Sequence, residues 1–99
     1  MWVELKMVGE NNDIKFLGEE LEGYFGDQYD DQTAIQDMKG DLVDYPEYAQ
    51  KIQLGLEQIL SNPKFSCLPF VKQYANRSAD NSEEKARAWL TQLKYSLFG

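Results

Sequence analysis

The sequence contains no histidine. That removes the usual general base of Ser-His-Asp and Cys-His machinery, together with the commonest metal ligand. It contains one cysteine, Cys67, so no intrachain disulfide can form, and a cytoplasmic location is the default expectation. No run reaches the ~18 apolar residues of a membrane span. The short apolar run Met1–Val8 is interrupted by Glu4 and Lys6, which does not fit the uninterrupted apolar region of a secretory signal. Glycine-rich phosphate loops are missing, and one cysteine without histidine cannot supply zinc spacing. Basic residues are scarce, ten against seventeen acids, and those of the second half are scattered: Lys51, Lys64, Lys72, Arg77, Lys85, Arg87 and Lys94. Without a basic cluster to follow a phosphate backbone, neither direct nucleic-acid binding nor membrane association is expected. No cofactor or metal is implied.

What the chain does have is aromatic residues and negative charge. Six Tyr, five Phe and two Trp in 99 residues are too many for a disordered chain, and the length is that of one domain, residues 1–99. The charge is uneven. Residues 1–50 carry thirteen acids and three bases, a net of −10, while residues 51–99 carry four acids and seven bases, a net of +3. A folded body with one negative pole repels phosphates and attracts a basic protein. The plainer reading is that surface acids only keep the domain soluble.

Apolar spacing predicts an all-α fold, a compact bundle of about five short helices. Val3, Leu5 and Met7 alternate, but a lone strand has no partner, so Met1–Val8 reads as an extended arm or an early helical turn. Asn12–Phe25 reads as the first helix, capped by Asn12, with Ile14, Leu17, Leu21, Tyr24 and Phe25 on one face. After the acidic loop Gly26–Gln32, Thr33 is expected to open a second helix with Gln36 completing a capping box. Its apolar stripe is Ile35, Met38 and Leu42, and Asp37, Asp41 and Asp44 share a neighbouring face. Pro46 begins a third helix that ends near Ser61, a short fourth runs from Pro69 to Tyr74 or Ala75, and Ser82 caps the last, with Ala86, Trp89, Leu90, Leu93 and Leu97 inward.

Chemistry is hard to place on this framework. Cys67 lies in the apolar string FSCLPF, where a thiol is core rather than nucleophile. Read as a calcium loop from Asp27, the acidic segment puts Gln32 where glycine is needed and Met38 where a bidentate Glu is needed, so that test fails. The carboxylates have no apolar setting to raise a pKa for acid–base work, and catalysis is not expected. What remains is an acidic surface with tyrosines set into it. The contact candidates are Glu19, Glu22, Asp27, Tyr29, Asp30, Asp31, Asp37, Asp41 and Asp44, with Tyr24, Tyr45 and Tyr48 nearby in sequence. Tyrosine supplies contact area with a polar tip, and carboxylates steer and pair with Lys or Arg. Tyr24 also falls on the core face of its helix, which makes Tyr29 the better contact candidate.

Two segments carry a resemblance. FLGEELEGYFGDQYDD, Phe16 to Asp31, resembles the opening helix and acidic-aromatic loop of a family of contact-dependent growth inhibition immunity proteins, with Gly23-Tyr24-Phe25 and Asp27-Gln28-Tyr29-Asp30-Asp31 in the corresponding places. KARAWLTQLKYSL, Lys85 to Leu97, is similar to the family's closing helix with its Trp-Leu pair. The resemblance implies a cytosolic antidote that binds the C-terminal domain of a cognate toxin, often a nuclease with a basic cleft, as a 1:1 heterodimer. The same charge logic also suits an acidic nucleic-acid mimic or an adaptor domain bound to another basic protein.

Overall fold

The computed structural model describes the backbone of residues 2–99 and side chains from Asn12 onward. Five α-helices follow in order: α1 (Trp2–Phe25), α2 (Asp31–Asp44), α3 (Pro46–Leu60), α4 (Cys67–Tyr74) and α5 (Glu83–Phe98), with a single turn at Ala79–Asn81 before α5. No strand occurs among the described residues, so the all-α expectation holds. The first element is not short, however. Asn12 lies inside α1 and does not cap it. Trp2–Val8 forms the first turns of α1, so this segment is helical and not an extended arm.

One buried cluster joins all five helices. Leu17, Leu21 and Phe25 repeat at every fourth position of α1 and meet Ile52, Leu56 and Ile59 of α3 along the main helix pair. Ala34, Met38 and Leu42 come from α2, Cys67, Phe70 and Val71 from α4, and Ala86, Leu90 and Leu93 from α5. Each set follows the spacing of one helix face, so burying these faces together is the principal stabilising term. Trp89 sits at the margin of this core, not at its centre. Its ring meets Phe25 edge-on at 5.1 Å, and its Nε1–H donates to Asp31 Oδ2 at 3.0 Å. Indole needs such an acceptor when its ring is packed, and that requirement draws it to the edge.

Two glycines set the helix spacing. A Cβ at Gly55 of α3 would come within 2.9 Å of the Asp13 carbonyl of α1, and one at Gly18 within 2.7 Å of the Tyr74 ring of α4. α1 therefore approaches both neighbours at glycine.

The helix ends are closed by side chains distant in sequence. Arg77 donates to the carbonyls of Phe25 and Gln28, just past α1, and forms an ion pair with Asp31 at 2.7 Å. Arg87 donates to the carbonyls of Ile59, Leu60, Asn62 and Phe65 around the end of α3. Guanidinium groups are suited to this, because a helix leaves its last carbonyls without intrahelical partners and carries partial negative charge there. Ser66 supplies no side-chain cap for α4; instead Glu83 accepts from the backbone N–H groups of Cys67 and Leu68 at 2.7 and 2.8 Å. These bonds hold its carboxyl below the usual range. Ser82 caps α5 as expected, accepting from Lys85 N–H.

A candidate acidic and aromatic contact face

The acids of the first half lie on α1, α2, the loop between them and the start of α3. They fall into two groups. Glu19, Glu22, Asp27, Asp37 and Asp44 are exposed, and among the described residues none is ion-paired or hydrogen-bonded through its side chain. Tyr29, 87% exposed, stands beside them in the loop.

Asp30 and Asp31 have internal roles that the sequence reading did not assign. Asp30, not Thr33, caps α2. Its carboxylate accepts from Gln32 N–H at 3.1 Å and from the Thr33 hydroxyl at 2.8 Å, and these bonds keep its pKa low. The helix consequently starts two residues before Thr33. Asp31 is half-buried between Arg77 and Trp89, where it ties the α1–α2 turn to α5. The loop Asp27–Asp31 is therefore not a uniform acidic contact. Its first acid faces water, and its last two hold the fold.

Asp41 belongs to a different arrangement. It lies in a cleft of about 470 Å³ where α1, α2 and the start of α3 converge, lined by Glu20, Tyr24, Asp41, Tyr45, Glu47 and Tyr48. The Tyr24 hydroxyl donates to Asp41 Oδ2, and the Tyr48 hydroxyl donates to Tyr24 Oη at 3.4 Å. Tyr48 is fixed on its other side by Phe16, whose ring meets it edge-on at 5.7 Å. Burial, followed by the hydrogen bond to Asp41, raises the Tyr24 pKa; burial and its neighbours Tyr24 and Glu20 raise that of Tyr48. Both phenols stay protonated at neutral pH, and Tyr24 is thereby kept as a donor to its acid. Tyr45, 62% exposed, stands at the rim.

Tyr24 is thus neither core nor free surface: its ring packs against the core and its hydroxyl faces the cleft. Glu20 and Glu47 were not among the sequence candidates. Glu20 precedes Tyr24 by one helical turn, and that spacing was a signal available from sequence. Glu47 is brought in by the Tyr45–Pro46 corner between α2 and α3, which periodicity does not reveal. Glu19 lies outside the cleft, in a separate groove that also contains Lys15 and Lys51.

Cys67 is fully buried, and burial pushes its thiol up to about 11 despite the nearby Arg87. It is core, as FSCLPF predicts. Among the described residues no group of His, Cys, Asp and Glu side chains is arranged to hold a metal ion, and no helix is long and apolar enough to cross a membrane. No protein-family model, curated protein or solved structure matches the chain.

Proposed function

We propose that the chain is an inhibitor of the immunity-protein type, which binds a cognate toxin domain and neutralises it, the toxin being a nuclease with a basic cleft. The observation carrying this reading is the way charge is used internally. The two arginines of the second half are engaged in closing helix ends. Five acids of the first half remain exposed with no ion-pair partner among the described residues. An uncompensated acidic face steers a basic partner during encounter, and carboxylates that become desolvated against Arg or Lys then hold it through charge-assisted hydrogen bonds. The contact residues are Glu19, Glu22, Asp27, Tyr29, Asp37, Asp41 and Asp44, while Asp30 and Asp31 maintain the geometry behind them. The likeness of Phe16–Asp31 and Lys85–Leu97 to immunity proteins agrees with this assignment.

The test is capture of the protein encoded by the adjacent gene, followed by association kinetics with that protein. The triple variant Asp27→Lys, Asp37→Lys, Asp44→Lys leaves every described cap and ion pair intact. It should lower the association rate by about tenfold or more at low salt, with much less difference at high salt. An unchanged rate would remove the acidic face from the contact.

A further inference from the structure

The cleft between α1, α2 and α3 has a chemistry distinct from the open acidic face around it. Three carboxylates, Glu20, Asp41 and Glu47, and three tyrosines, Tyr24, Tyr45 and Tyr48, converge on one concavity of about 470 Å³. That volume lies in the range of sites for small organic ligands, roughly 300–1,000 Å³. Among the described residues none of the three acids is ion-paired, so the cavity carries negative charge without an internal counter-ion. Its walls are aromatic. An inorganic cation prefers a cage of oxygen atoms, whereas an organic cation gains from ring faces as well as from carboxylates.

We infer that this cleft is the receptor for a single arginine side chain of the partner, its guanidinium held by Asp41, Glu20 and Glu47 and its flat face set against the tyrosine rings. The inference rests on the partner-binding reading above and assigns that partner's anchor. Guanidinium is favoured over ammonium because it is planar, stacks on aromatic rings and offers several N–H donors in a fixed fork that can satisfy two carboxylates at once. The cleft is also built in advance. Phe16 fixes Tyr48, and Asp41 orients the Tyr24 hydroxyl, so little side-chain freedom is lost on binding. An anchor seated in this open cleft, with exposed charges around it, has the layout of an interface contact with a polar rim.

The experiment needs no partner, which separates this inference from the reading it rests on. The full-length chain is titrated with N-acetyl-arginine amide and, in parallel, with the isosteric but uncharged N-acetyl-citrulline amide, and amide and aromatic NMR shifts are followed. The arginine probe should saturate with a dissociation constant of about 1–10 mM, appropriate to one side chain. Its shifts should centre on Tyr24, Tyr45 and Tyr48, and citrulline should produce none that saturate. Tyr45→Ala and Glu47→Gln, both at exposed positions, should each weaken the arginine probe by about threefold to fivefold. Equal responses to the two probes, or arginine shifts spread along α2 without saturation, would overturn the inference while leaving the acidic face as a diffuse contact. Binding of free L-arginine at least tenfold tighter than the blocked probe would also overturn it, because the cleft would then recognise a small amino acid. Failure of charge reversal at Asp27, Asp37 and Asp44 to slow capture, with the arginine probe still binding, would instead refute the acidic-face reading alone.

Discussion

Glu83 shows how one side chain can do what sequence position suggests and something else as well. Acids in the first turn of α5 are favourable for the helix dipole, and Glu83 stands in that turn. Its carboxylate also caps α4, the helix that has no cap of its own. The pKa consequence has a definite sign. The folded chain holds Glu83 ionised at lower pH than the unfolded chain does, chiefly through the N–H of Leu68. Its contribution to stability is therefore present above the ordinary carboxylate range and is lost as pH falls through the lowered value. Glu83→Gln should cost about 1 kcal/mol at neutral pH, the usual worth of a helix cap. The difference between the two proteins at neutral pH should narrow in acid, as pH falls below the ordinary carboxylate range and through the lowered folded value, because both side chains are then neutral. Urea unfolding midpoints at neutral and acid pH check this, and a constant difference would mean that the carboxylate charge is not what holds α4.

At the scale of elements, much of the fold could be read directly. Pro46 and Ser82 marked the starts of α3 and α5 because first-position proline and a capping serine act locally. The start of α2 was misplaced because two capping residues compete within four positions. Asp30 accepts from Gln32 N–H, and the Thr33 side chain, itself a possible cap, donates to that same aspartate. α4 begins two residues before Pro69 because its cap comes from α5, which no local pattern records. The close approaches at glycine were equally hidden, since a helical glycine looks the same in sequence whether it faces a neighbour or water. The two cases should respond oppositely to one substitution. Gly40→Ala, in mid-α2 with nothing within 4 Å of the added carbon, should stabilise by about 0.5–1 kcal/mol. Gly55→Ala would press on the Asp13 carbonyl and Leu17 of α1 and should destabilise by about 1–3 kcal/mol despite the better helix propensity. Thermal or urea denaturation of both variants provides the comparison, and a stabilising Gly55→Ala would show that the α1–α3 spacing has room to adjust.

For the whole molecule, the charge asymmetry was legible because it needs only counting, whereas the cleft was not, because it depends on three helices meeting at a corner. The asymmetry should also carry a cost in stability. Asp37, Asp41 and Asp44 follow one another by a turn along α2, with Glu47 beyond, and none has a cationic partner among the described residues. Like charges at that spacing each cost a few tenths of a kcal/mol, and self-repulsion falls as salt screens it. The double variant Asp37→Asn, Asp44→Asn should therefore raise stability by about 0.5–1 kcal/mol at low ionic strength, with a smaller gain at ~0.5 M salt. If the acids serve only solubility, that gain should come without loss of any binding. If they form the contact face, the same variant should capture the basic partner more slowly while unfolding at higher temperature. Stability and association rate moving in opposite directions is what distinguishes a functional negative pole from a neutral one. A variant that is more stable and binds equally fast would remove Asp37 and Asp44 from the contact and confine it to the cleft and the residues of α1 and the loop after it.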